Sequence, residues 1–243
     1  MKTSILFICF FIITIIPLES LAENKTVTSF SKAKDILQNK IYFDQRLTLY
    51  CNAEFSPNKT VLVPKGFVTN KYIKRTQKIE WEHVVPAQKF GIAFKEWTDG
   101  HENCMTSKGK KIKGRKCAVK TNSKFRYMLS DMYNLFPAIG SVNAVRSNYN
   151  FVILEDDMES DFGSCDMRIN NKQAQPPESS RGRIARAYLY MNYTYEEFNM
   201  SFETLKIMLN WHEKYPVSEW ECLRASRIKS IQGNEHMIYK EQC

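Results

Sequence analysis

Four histidines occur in this sequence, at 83, 101, 212 and 236, and only one has neighbours suited to acid–base chemistry. His83 stands in Trp81-Glu82-His83-Val84-Val85-Pro86, beside a carboxylate at the end of an apolar stretch. An imidazole near its unperturbed pKa accepts a proton at neutral pH, which makes His83 a candidate general base. A core histidine bonded to its neighbours is the alternative that the hexapeptide alone leaves open. His212 lies on an apolar helical stripe and reads as structural, whereas His101 and His236 fall in polar, turn-like stretches and read as surface residues. Two familiar hydrolase patterns are absent. A zinc protease would need a second histidine four residues after His83, where Ala87 stands. No Gly-x-Ser-x-Gly elbow occurs either.

A second constellation lies at residues 131–148, where Asn134, Asn143, Asn148 and Arg146 surround an expected helix start. Asparagine is a mediocre helix former, so Asn143 inside a helix asks for a reason beyond an exposed polar face. Phosphodiester hydrolysis needs a hard cation, a base for water and positive charge near the phosphate. Carboxylate and amide oxygens suit magnesium, which keeps several of its own waters. Glu82, Asn143 and His83 would fill these roles. Strand alternation sends Glu82 and His83 to opposite faces, so both reach one centre only if the strand ends or bulges before Pro86.

The elements that must hold these residues follow from periodicity. Phe30, Ala33, Ile36 and Leu37 predict a short amphipathic helix over Ser29–Leu37. Residues 40–75 read as short strands and turns, and Ile79–Val85 as a strand. Thr106–Lys124 reads as a loop-rich, very basic stretch, and a helix is expected to begin near Pro137. The C-terminal third carries three apolar stripes. The first is Ile184, Ala185, Tyr188, Leu189 and Met191, and the second is Phe202, Leu205, Met208, Leu209 and His212. The third, Trp220, Leu223, Arg227, Ile228 and Ile231, is closed by Gly233. The pattern predicts one helix-rich α+β domain over residues 23–243.

Export is expected as well. A basic start at Lys2, an apolar run from Ile5 to Pro17 and small residues at Ser20 and Ala22 make residues 1–22 a signal peptide. No later segment is apolar enough to cross a membrane. The formal net charge is +9, which favours polyanions without naming a function. Cys9 falls within the signal, and Cys51, Cys104, Cys117, Cys165, Cys222 and Cys243 remain, an even number that reads as disulfides in an oxidising compartment. Cys104 with Cys117 makes a natural short loop, and the other pairings stay open.

Taken in order, several segments resemble the bacterial endonuclease I family of periplasmic and secreted nucleases. They include Ile79–Ala87, Gly114-Arg115-Lys116-Cys117, Asn134–Gly140, Val142-Asn143 with Arg146-Ser147-Asn148, Arg181–Arg186, and Tyr215–Cys222. The resemblance implies a ββα-metal (His-Me finger) site with His83 as the base, and Glu82 and Asn143 as ligands of one divalent cation. It also implies Asn134 as the residue orienting the histidine, and Arg115 as the cation stabilising the phosphate. Mg2+ is the expected metal, with Ca2+ or Mn2+ able to substitute. The expected substrate is DNA, with RNA left open, cut with little sequence preference to 5′-phosphate and 3′-hydroxyl ends by a monomer. Arg146, Arg181, Arg183 and Arg186 are candidates to hold the nucleic-acid backbone. A basic, disulfide-stabilised binder of polyanions without catalysis fits charge, cysteines and signal equally well. It gives no reason for Glu82-His83 together with the asparagine-rich helix start.

Overall fold

The Ser29 hydroxyl accepts the Lys32 N–H and starts helix α1, Phe30–Ile36, which runs on as a wider turn through Leu37–Ile41. Ala33, Leu37 and Ile41 are buried along it. The computed structural model describes residues 23–154 and 158–243, and the expected leader over 1–22 lies outside them. Residues 42–78 make turns and isolated bridges, such as Leu47 with Glu54 and Phe55 with Val61.

Strand β1, Ile79–His83, leads into helices α2, Ala87–Gly91, and α3, Lys95–Thr98. The basic stretch is shorter than expected. It ends at Gly114, and two helices follow: α4, Arg115–Thr121, and α5, Ser123–Leu129, the latter capped by the Asn122 side chain. Strand β2, Leu135–Ile139, then pairs antiparallel with β1, placing Trp81 opposite Pro137 and His83 opposite Leu135.

The helix expected near Pro137 begins later, as α6, Gly140–Arg146. Proline is tolerated in β2 because the sheet has only two strands, so its missing N–H breaks no central ladder. On the outer side the Pro137 carbonyl still accepts from Leu49 N at 2.7 Å. Helix α6 lies close against the chain before β1. A Cβ on Gly140 would stand 2.5 Å from the Arg75 carbonyl oxygen, so the approach requires glycine.

A small sheet follows, made of β3 (Asn150–Phe151), β4 (Arg168–Asn170) and β5 (Gln173–Gln175), with β5 in the middle. Helix α7, Glu178–Thr194, is buried nearly all round, with Ile184, Ala185, Tyr188, Leu189 and Met191 among its core residues. It packs on α8, Phe202–Lys214.

The expected α8 stripe is corrected: Met208 and Trp211 are buried, while Phe202 and Leu209 are exposed. The stripe on α9, Glu219–Gln232, shifts too, since Leu223 and Ile231 are exposed and Glu221, Arg224, Ala225, Ile228 and Gln232 face inward. Paired charges on the inner face hide its helical period from a reading of apolar residues. Gly233 closes α9 with φ 86°, as expected, and α10, Met237–Gln242, ends the chain. His236 is buried between them, correcting its surface assignment.

Three disulfides join Cys51–Cys165, Cys104–Cys117 and Cys222–Cys243. The first spans 114 residues, against 13 and 21, so chain entropy assigns it the largest constraint on the unfolded state. Among the described residues, no helix is long and apolar enough to cross a membrane.

Candidate active site

The end of β1 opens on a cleft of about 770 Å³ whose lining includes Glu80, Glu82, His83, Arg115 and Asn143. His83 is only 7% exposed. Its Nε2 lies 2.8 Å from the Leu129 carbonyl oxygen, and a carbonyl only accepts. The proton therefore belongs on Nε2, leaving the lone pair on Nδ1. Phe30 packs on the ring at 4.7 Å between centroids. Burial, assisted by the nearby Arg115 charge, lowers the His83 pKa to about 3, well below the unperturbed value expected from the sequence, so the imidazole is neutral at neutral pH and a weaker base than a free one.

Glu82 is buried beside it. Its Oε1 accepts from the Tyr50 hydroxyl and from Arg146 Nη1, each at 2.7 Å. Burial raises the carboxyl pKa, and Arg146 opposes that rise. Among the described residues Oε2 has no hydrogen-bond partner. Arg146 also donates to the carbonyls of His83 and Val84, at 3.0 and 2.6 Å. This solves the geometric problem of neighbouring residues on one strand. β1 ends at His83, Arg146 gathers the departing backbone, and the cleft wraps around the strand end, so both side chains line it.

Asn143 reaches the same cleft from α6. Its Nδ2 donates to Glu80 Oε2 at 2.7 Å, and Oδ1 has no hydrogen-bond partner among the described residues. Glu82 Oε2 and Asn143 Oδ1 are hard oxygen donors, the type that magnesium takes while keeping its waters. No group of three or more His, Cys, Asp or Glu side chains suited to a metal occurs among the described residues.

The sequence matches the family model for Endonuclease I over residues 25–237. The chain belongs to the endonuclease I family. An extracellular deoxyribonuclease of Aeromonas hydrophila is 38% identical over 231 residues, covering 91% of this chain and 92% of the relative. A periplasmic deoxyribonuclease of the same species is 38% identical, with 84% and 82% covered. Endonuclease-1 of Buchnera aphidicola subsp. Acyrthosiphon pisum (strain APS) is 34% identical, with 91% and 84% covered. The family expected from the motifs is the family found.

Other site expectations change once this endonuclease I chain is seen folded. Asn134 makes no bond to the imidazole. It clamps the Val85 peptide, accepting from its N–H at 2.7 Å and donating to its carbonyl at 3.0 Å. The group that holds His83 is the Leu129 backbone, which no side-chain motif reveals. Arg146 is fully buried, so it is a strut for the strand end and not a contact for nucleic acid. Arg186 is buried too, paired through two nitrogens with Glu221 at 2.7 and 2.9 Å. Arg183 donates to the Leu49 and Ser179 carbonyls and to Asn52. Arg181 bonds the Pro176 carbonyl and stacks on Trp211. None of these four lines the cleft.

Its cations are Arg115, as expected, and Lys34, Lys59 and Arg75, which the sequence reading missed. Arg115 has no hydrogen-bond or ion-pair partner among the described residues. Lys34 was within reach, because it lies one turn after Phe30 on α1. Lys59 and Arg75 sit in a stretch without periodicity, and no pattern pointed to them.

Proposed function

We propose that this chain is an exported, divalent-metal-dependent endonuclease that hydrolyses DNA with little sequence preference. The observation that carries the reading is the orientation of three groups. His83 keeps Nδ1 unprotonated, while Glu82 Oε2 and Asn143 Oδ1 remain unbonded, and all three residues line one cleft. β1, β2 and α6 would form the ββα unit, within a single catalytic domain over residues 23–243 that follows a signal peptide. The relatives' names and three disulfides support a periplasmic or extracellular location.

Glu82 and Asn143 would hold one cation, Mg2+ by the nature of the donors, with Ca2+ or Mn2+ able to take its place. When bound, the cation offsets charge on the scissile phosphate and the departing oxygen. His83 Nδ1 takes a proton from water while Nε2 keeps its own proton on the Leu129 carbonyl. The resulting hydroxide attacks phosphorus in line, the P–O3′ bond breaks, and the departing oxygen takes a proton from solvent water, leaving 5′-phosphate and 3′-hydroxyl ends. Arg115, free of partners, faces the charge that builds on the phosphate. Lys34, Lys59 and Arg75 supply backbone contacts that carry no base information.

Plasmid nicking tests the reading. Cleavage stops in excess EDTA and returns with magnesium. Full activity under chelation, in protein that elemental analysis finds free of metal, would contradict it and favour a chemistry without the cation.

A further inference from the structure

We infer that Glu80 is a positioning residue, setting the Asn143 amide so that its oxygen faces the cleft. The inference rests on Asn143 being a ligand of the proposed cation. An asparagine side chain has two nearly isosteric ends, and only one of them binds a cation. A carboxylate offers only acceptors, so the amide atom 2.7 Å from Glu80 Oε2 must be the NH2 group. Flipping the amide would set oxygen against oxygen. Glu80 therefore selects the orientation that leaves Oδ1 without a protein partner.

Glu80 is itself held from the other side. Arg75 Nε donates to Glu80 Oε1 at 2.7 Å, and a second guanidinium nitrogen meets Oε2. The backbone completes the arrangement. Gly140 lets the first turn of α6 settle on residues 75–78, and a Cβ there would also stand 3.0 Å from Glu80 Oε1. The Arg75–Glu80 pair is part-exposed, with side chains 42% and 34% accessible. Such pairs add little to stability. What Glu80 contributes is orientation, and the chain pre-sets the amide before any cation arrives.

Calorimetric titration of the full-length secreted chain with Mn2+ alone tests this without measuring cleavage. Thermal unfolding in EDTA verifies that each variant is folded. Glu80→Ala weakens Mn2+ binding about tenfold, the low end of what loss of a ligand's supporting partner costs, and Asn143→Ala, which removes the ligand itself, weakens it at least as much. The double variant binds no more weakly than Asn143→Ala, because both changes act on one amide. Glu80→Gln, whose side-chain oxygen still accepts from Nδ2, stays within about threefold of wild type. If Asn143→Ala leaves affinity unchanged, the ligand assignment fails and this inference with it. If Asn143→Ala weakens binding and Glu80→Ala does not, the inference alone is overturned. Additive losses, or a Glu80→Gln loss equal to that of Glu80→Ala, would also overturn it, making the Glu80 carboxylate a direct partner of the cation.

Discussion

Arg146 and Arg115 look alike in the sequence, each an arginine near the proposed chemistry, yet they sit in opposite environments. Arg146 is fully buried, bonded to Glu82 and two carbonyls, with its guanidinium 4.3 Å from the Phe151 ring centre. Removing one partner of a buried ion pair leaves the other charge uncompensated and costs about 3–5 kcal/mol. Arg146→Ala is therefore expected to lose about that much stability in urea unfolding, measured without metal. Arg115→Ala is expected to change stability by under about 0.5 kcal/mol, as for surface positions, but to slow cleavage by about a hundredfold or more. An Arg146→Ala protein as stable as wild type would contradict the strut role. At this scale residue chemistry was legible, and environment was not. His83, Glu82 and Asn143 stood out by type and neighbourhood, Arg115 only through the family resemblance, and all four line the cleft. Burial of Arg146 and Arg186 depends on Glu82 and Glu221, partners far away in the chain that no local window contains.

Between Cys104 and Cys117 the chain forms a basic hairpin, with Met105 bridged to Lys111 and Thr106 N bonded to the Lys110 carbonyl. Lys108, Lys110, Lys111 and Lys113 have no ion-pair partner among the described residues. The disulfide ties this element to the first turn of α4, which carries Arg115 into the cleft. Replacing the four lysines with serine is expected to flatten the salt dependence of DNA affinity, by about one unit of log–log slope for each phosphate no longer neutralised. An unchanged slope would show that the hairpin stays clear of DNA. The sequence pattern captured the basic run but overextended it, because α4 and α5 are short and α4 starts without a side-chain cap. β2 was misread for a related reason. Pro137 favours a helix start in isolation, and only the pairing with β1 makes it a strand residue.

For the molecule as a whole, net charge and cysteine number set useful bounds, but the distribution of charge inside the core was invisible. His236 shows the consequence. It is stacked among Tyr133, Tyr190 and Tyr239, and burial lowers its pKa from 6.5 to about 3. The unfolded chain takes up this proton below 6.5, while the folded chain refuses it until about 3. Stability from this histidine is thus fully present above 6.5 and lost as pH falls from there toward 3, by about 1.4 kcal/mol per pH unit. His83 is shifted the same way, so chemical denaturation from about pH 7 to about pH 5 is expected to show roughly twice that slope, and His236→Gln to remove about half of it. Equal slopes in the two proteins would refute the assignment. The central claim concerns the other buried imidazole, His83, which lines the cleft with its Nε2 held on the Leu129 carbonyl. Its most direct test is single-turnover plasmid cleavage by His83→Ala in magnesium, with DNA affinity measured alongside. The account predicts a loss of about a hundredfold to ten-thousandfold in rate with affinity nearly unchanged. Cleavage at close to the wild-type rate would contradict it.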